Sequence, residues 1–152
     1  MTDSIVVLET IANQQDVAAI GAMLNDYNSD QGLVYNPQSL AVFIRLNETG
    51  RVIAGLQGST HWDWLRIKLL AVHKRARNRG FGTQLMQAAE REAIQRGCKY
   101  AFVDTYSFQA LPFYKKCGYE IFGELPDYPR GHSRIFLRKN LDNASPHNSD
   151  EN

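Results

Sequence analysis

The chain has 152 residues, of which 43% are hydrophobic, 11% aromatic and 22% charged, the balance of one ordinary globular domain. With 17 Lys+Arg against 16 Asp+Glu the formal charge is +1, which excludes the broad electrostatic pull that non-specific nucleic-acid binders use. Cys98 and Cys117 are too few for a disulfide scaffold and lack metal-ligand spacing, so both are expected to be packing thiols and no metal is expected. The first eight residues carry Asp3 and a short apolar run, neither a signal peptide nor a membrane span, and the expected location is cytoplasmic.

In chain order, Ile5, Val6, Val7 and Leu8 form a β-branched run that predicts a strand over residues 4–9. Asn13 followed by Asp16 resembles a helix cap with an acidic first turn, and Val17, Ile20, Leu24 and Tyr27 recur at helical spacing up to a turn at 28–32. Three apolar runs at 40–46, 52–58 and 65–72, joined by links too short for parallel crossovers, predict an antiparallel meander. A helix over 82–96 follows, with Leu85, Ala89 and Ala93 on one face and Gly97 as its stop. Next come a strand at 100–104, a short helix at 111–117 with Pro112 in its first turn and Gly118 behind it, and strands at 119–124 and 133–138. The expected organisation is a single domain over 1–141, an α/β mixed sheet with a parallel pair in its middle, and a disordered tail over 142–152 without large apolar side chains.

The chemistry concentrates in residues 69–86, LLAVHKRARNRGFGTQLM: a strand, a basic loop, two close glycines and an amphipathic helix. Arg66, Lys68, Lys74, Arg75, Arg77 and Arg79 lie in a window with no acid between Asp63 and Glu90. Glycines let the backbone approach a ligand, and the first N–H groups of a helix have no internal partners, so the segment suits a phosphate. It is neither a nucleotide-hydrolase loop, lacking the Lys-Ser/Thr pair, nor a dinucleotide fingerprint, lacking the third glycine.

Arg77-Asn78-Arg79-Gly80-Phe81-Gly82 resembles the Q/R-x-x-G-x-G/A signature of the GNAT superfamily of acetyl-CoA-dependent N-acetyltransferases, and residues 113–120, FYKKCGYE, resemble a second segment of that family. The resemblance implies an acyl-CoA N-acyltransferase fold, mostly antiparallel, whose central parallel pair splays apart to admit the pantetheine arm. It implies transfer of the acetyl group of acetyl-CoA to a primary amine by direct attack in a ternary complex. Backbone groups of Arg77, Asn78, Arg79, Gly80, Phe81, Gly82 and Thr83 would hold the pyrophosphate, and Val72 the pantetheine amides. The Leu70 N–H would face the thioester carbonyl, Gln109 and Phe113 would line the arm, and Tyr114 would be the acid that protonates the departing thiolate.

The family's occasional carboxylate four residues before the Leu70 position is Arg66 here. Asp104, Asp63, His61 and a water chain therefore stand as alternatives for the general base. Strand alternation puts Arg66 and Lys68 on the Leu70 face, which favours an acceptor bearing a carboxylate or phosphate. Trp62 and Trp64 line an acceptor pocket or pack across strands, and the loop 125–132, with Asp127, Tyr128 and Arg130, borders the acceptor site or a homodimer edge. Two rival readings are a non-catalytic acyl-CoA-binding module and, against the charge balance, a nucleic-acid-binding domain.

Overall fold

The computed structural model describes residues 3–141; the expected disordered tail lies outside them. The chain separates into two compact units, Met1–Asn36 and Pro37–Asn152. In the first, helix α1 runs from Gln14 to Asp30, with the Asn13 side chain accepting from the Gln15 N–H as the capping signal predicts. Residues 4–9 form no strand. The β-branched run has the right propensity, but a strand exists only through a hydrogen-bonded neighbour, and the structure gives this run no ladder.

The second unit is built on a six-stranded sheet in the order β1-β2-β3-β4-β6-β5. Its strands are β1 (Gln38–Arg45), β2 (Val52–His61), β3 (Trp64–Val72), β4 (Tyr100–Tyr106), β5 (Glu120–Pro126) and β6 (Ser133–Asn140). All neighbours are antiparallel except β3 and β4, the parallel pair expected at the centre. Helix α2 (Phe81–Gln95) connects these two strands and packs on β1, β2 and β3, burying Leu85, Met86, Ala89 and Ala93 against Leu56, Leu65, Ile67, Ala101 and Val103. Helix α3 (Leu111–Lys116) buries Tyr114 in the same core. Gly97 and Gly118 follow the two helices at φ 87° and 90°, the left-handed positions where glycine is cheapest.

One buried charge holds this core together. Glu90 on α2 is 6% exposed; its Oε1 accepts from the Tyr119 hydroxyl at 2.9 Å and its Oε2 from Lys139 Nζ at 2.9 Å. The three residues tie α2 to the start of β5 and the end of β6, and burial beside Glu90 drives the Tyr119 hydroxyl strongly upward in pKa. Glu90→Ala strands a buried hydroxyl and a half-buried ammonium, and the expected loss in urea unfolding is about 3 kcal/mol. Glu90→Gln, which retains hydrogen bonding, should lose visibly less.

The register of β3 holds one surprise. Gln57 lies opposite Leu69 and Gly58 opposite Ile67, which leaves Lys68 as the extra residue of a β-bulge. Before the bulge Leu65 and Ile67 face α2; after it Leu70 and Val72 lie opposite the buried Leu56 and Ala54 and share their face. Arg66, opposite Ser59, therefore points to the other side of the sheet from Leu70. The expectation that Arg66 and Lys68 share a face with Leu70 is overturned, because the inserted residue shifts the alternation by one.

Candidate active site

β3 and β4 pair only from Trp64–Tyr100 to Ile67–Val103. Beyond that point β3 stays paired with β2 as far as Val72, and β4 with β6 as far as Tyr106, so the two strands separate into a gap while each keeps its outer neighbour. The bulge sits at the point of separation, and the extra twist that bulges impose is its physical cause.

Hydrogen-bond direction decides what this gap displays. The His73 N–H donates to Ile53 O on β2 at 2.8 Å, so in the antiparallel ladder alternate residues of β3 face β2 and the intervening ones face away. Leu70 and Val72 are the intervening ones; their N–H and C=O groups turn into the gap. The Val72 carbonyl accepts from Arg77 Nε at 3.3 Å, consistent with that direction.

The chain then makes a single 3-10 turn, Lys74–Ala76, which buries Ala76 and is capped by His73 Nδ1 accepting from the Arg75 N–H. Asn78 and Gly80 follow in left-handed conformations, φ 60° and 77°, and Gly80 caps α2 without any side-chain hydrogen bond. The first intrahelical bond runs from the Gln84 N–H to Gly80 O. The N–H groups of Phe81, Gly82 and Thr83 thus have no helical acceptor and stand at the positive end of the helix dipole, with Arg79 over the Phe81 ring.

Gly82 packs closely against α3. A Cβ there would lie 3.0 Å from the ring of Phe113, so the absent side chain lets α3 close on the start of α2. Phe113 in turn meets Tyr114 edge-on at 5.3 Å. Tyr114 is 6% exposed, and burial, with help from Cys117 and Asp104, pushes its hydroxyl up to about 12. On the far lip of the gap, Gln109 Oε1 accepts from the Thr105 hydroxyl and the Tyr106 N–H, fastening the turn before α3 to the end of β4.

Of the alternatives for the base, Asp63 and His61 sit at the opposite end of β3. Asp63 precedes Leu70 by seven residues, about 20 Å along an extended strand, in a turn with Trp62 and Asp63 at φ 45° and 67°. Its carbonyl accepts from the Lys99 and Tyr100 N–H groups, which fixes the start of β4. Trp64 packs on Tyr100 at 4.8 Å and Phe102 at 5.9 Å, so it is a cross-strand partner and not a wall of the gap. Asp104 is placed differently: it is the first β4 residue beyond the last pair, and its Oδ2 accepts from Arg134 at 2.8 Å from Nε and 2.7 Å from Nη2. Cys98 and Cys117 are free, and burial raises both thiols, as packing residues require.

Sequence reasoning named Tyr128 as a residue that borders the acceptor site but missed Arg134 and the rings of Tyr106, Phe108 and Phe136 around it. Tyr106 stacks on Phe108 at 5.4 Å and Tyr128 at 6.0 Å, and Arg134 lies over Tyr106, Tyr128 and Phe136. Their only linear signal is the alternation of Tyr106 with Phe108 and of Arg134 with Phe136 at the ends of two strands.

A splayed parallel pair followed by an uncapped glycine-led helix is the frame against which relatives compare. The chain is 40% identical over 95 residues to the blasticidin-S acetyltransferase of Streptomyces morookaense, covering 62% of this chain and 70% of that one. Its fold matches the crystal structure of an Agrobacterium tumefaciens protein assigned as an acetyltransferase with a TM-score of 0.82, at 32% identity over 90% of this chain and 99% of that one. It also matches a Bacillus anthracis protein, assigned as a streptothricin acetyltransferase and crystallised with acetyl coenzyme A, at TM-score 0.61 and 20% identity over 72% of this chain and 66% of that one. The family model described as acetyltransferase (GNAT) matches residues 10–119, and with the splayed pair and the glycine-led helix inside that span, this chain belongs to the GNAT acetyltransferase family.

Proposed function

We propose that the protein transfers the acetyl group of acetyl-CoA to the nitrogen of a primary amine by direct attack in a ternary complex. The observation that carries this reading is the gap between β3 and β4, whose edge presents the backbone groups of Leu70 and Val72 and which opens toward the unpartnered N–H groups at the start of α2. These residues fit the cosubstrate by its chemistry: N–H groups and a local excess of arginine for a pyrophosphate, and a strand edge lacking its neighbour for an arm with two amides. Acetyl-CoA, when bound, supplies the activated acyl carbon.

In this reading Phe81, Gly82 and Thr83, with the loop Arg77, Asn78, Arg79 and Gly80, hold the pyrophosphate, and Val72 exchanges its contact with Arg77 for one with the arm. The Leu70 N–H donates to the thioester oxygen, where negative charge develops. Phe113 shapes the passage beside Gly82, and the Gln109 amide nitrogen, whose partner oxygen is already held by Thr105, donates to the arm. Tyr114 donates its proton toward the sulfur as the C–S bond breaks and the C–N bond forms, and the proton leaving the amine passes to Asp104 or to water at the mouth of the gap. The 40%-identical relative, named for blasticidin S, supports a small-molecule acceptor over a protein tail.

Thermal unfolding tests the binding half of the proposal. Acetyl-CoA at a hundredfold excess over its Kd should raise Tm by roughly 5–10 °C, and mass spectrometry of an amine panel should show a product heavier by one acetyl group. A protein whose Tm ignores acetyl-CoA and that releases no thiol with any amine sinks the reading.

A further inference from the structure

We infer that the open end of the gap carries an acceptor-recognition ledge made by Tyr106, Phe108 and Tyr128, and that it selects amines attached to a flat aromatic or heteroaromatic ring. The inference rests on the acetyl-transfer reading and names the substrate class that this site takes.

Ile67 and Val103 form the last pair of the parallel ladder. Leu70 and Tyr106 each lie three residues farther on; with Lys68 as the extra residue of the bulge, Leu70 stands two rungs past that pair and Tyr106 three, so the residue proposed to face the reacting carbonyl and the Tyr106 ring differ in height by one residue, ~3.3 Å, on opposite lips of the gap. Val103 and Thr105 are buried, whereas Asp104 and Tyr106 point to the opposite face. Tyr106 stacks with both Phe108 and Tyr128, whose ring planes lie within 10° and 14° of its own. Phe108 and Tyr128 are 56% and 45% exposed, which leaves large ring surface in solvent at a point the core does not need.

The ledge is held rigidly. The Tyr128 N–H donates to His132 O at 3.1 Å, the His132 N–H to Pro129 O at 2.9 Å, and the Gly131 N–H to Asp127 Oδ1. His132 meets Phe108 edge-on at 4.9 Å. Arg134 supports Tyr128 from one side, 5.3 Å from the ring centroid, while its charge is answered by Asp104. The near-parallel rings suit stacking by another flat ring, and their negative faces attract the ammonium that an amine carries in water. A saturated ring of equal size offers the hydrophobic area without the planarity.

The test compares 2-phenylethylamine with 2-cyclohexylethylamine, which are alike in charge and reach and differ in planarity, at saturating acetyl-CoA. The wild-type protein should favour the flat amine about tenfold in kcat/KM, a factor matched to one aromatic stack. Phe108→Leu and Tyr128→Leu should each bring the ratio toward one, with acetyl-CoA still raising Tm as evidence that the variants fold and bind the cosubstrate. A ratio near one in the wild type, or a full ratio retained in both variants, overturns the ledge. In parallel, saturation-transfer NMR of the CoA-loaded protein reads ring contact without turnover. Contact by the flat amine that both variants lose supports the ledge even if no amine is acetylated, a result that would refute acetyl transfer alone. Absence of contact together with absence of turnover overturns the ledge.

Discussion

Replacing Tyr114 with phenylalanine should lower kcat by about a hundredfold while leaving the stabilisation by acetyl-CoA intact. General acids contribute typically 10²- to 10⁴-fold, and the raised pKa of Tyr114 places the expectation at the low end. A phenol held near 12 is a weaker acid than an ordinary thiol, near 8.5, so complete proton transfer to the departing sulfur is uphill. In the proposed role Tyr114 supplies a neutral, buried O–H that donates toward the sulfur as charge forms there, with the proton finally exchanged from solvent. Steady-state kinetics with acetyl-CoA and a turned-over amine measure the loss. A non-catalytic acyl-CoA-binding module predicts instead that the substitution changes nothing, because there is no turnover to lose.

The same hydroxyl has a signature independent of turnover. Tyr114 ionises near 10 in the unfolded chain and near 12 in the folded one, so the folded state retains the proton that the unfolded state gives up. Its contribution to stability is complete below pH 10 and is lost as the pH rises from 10 toward 12, by about 3 kcal/mol. Tyr119, raised by burial and by Glu90, acts in the same direction. Urea unfolding of Tyr114→Phe across this window should show a shallower alkaline decline than the wild type. An identical decline would mean that Tyr114 ionises as freely in the folded protein as in the unfolded one, which contradicts its burial.

Local signals in the sequence place most of the fold, and non-local geometry accounts for what they miss. Asn13 as a cap, Gly97 and Gly118 as helix stops and Pro112 in a first turn act over a few residues, and the structure puts each where its chemistry predicts. The run Ile5–Leu8 failed as a strand because alternation and propensity do not supply a partner. The glycine loop and the start of α2 were legible for the same local reason as the caps. The Arg134–Asp104 pair was not, since it joins residues thirty apart on strands whose neighbourhood only the sheet order reveals. Strand alternation assigned Arg66 to the wrong face for a related cause: the bulge at Lys68 is set by the strand opposite.

That opposite strand yields the second large effect. A Cβ on Gly58 would overlap the Arg66 carbonyl and approach the Ile67 Cα at 3.5 Å, and both are backbone atoms that cannot rotate aside. Gly58 is also the residue across from Ile67, at the edge of the bulge and at the last rung of the β3–β4 ladder. Gly58→Ala therefore forces β3 itself to move, at a cost of about 3 kcal/mol by the scale of overpacked cores. Moving β3 re-aims the Leu70 and Val72 groups that line the gap, so the variant should also lose most of the Tm rise given by acetyl-CoA. A cavity variant of similar cost at the paired end of the sheet, Leu141→Ala, separates the two consequences. Leu141 is fully buried just beyond β6, with its N–H donating to Lys99 O ahead of β4, and its truncation costs about 2–5 kcal/mol at the end where β3 and β4 stay paired, so the acetyl-CoA shift should persist there. If both variants keep the shift in full, the bulge does not set the aim of the β3 edge.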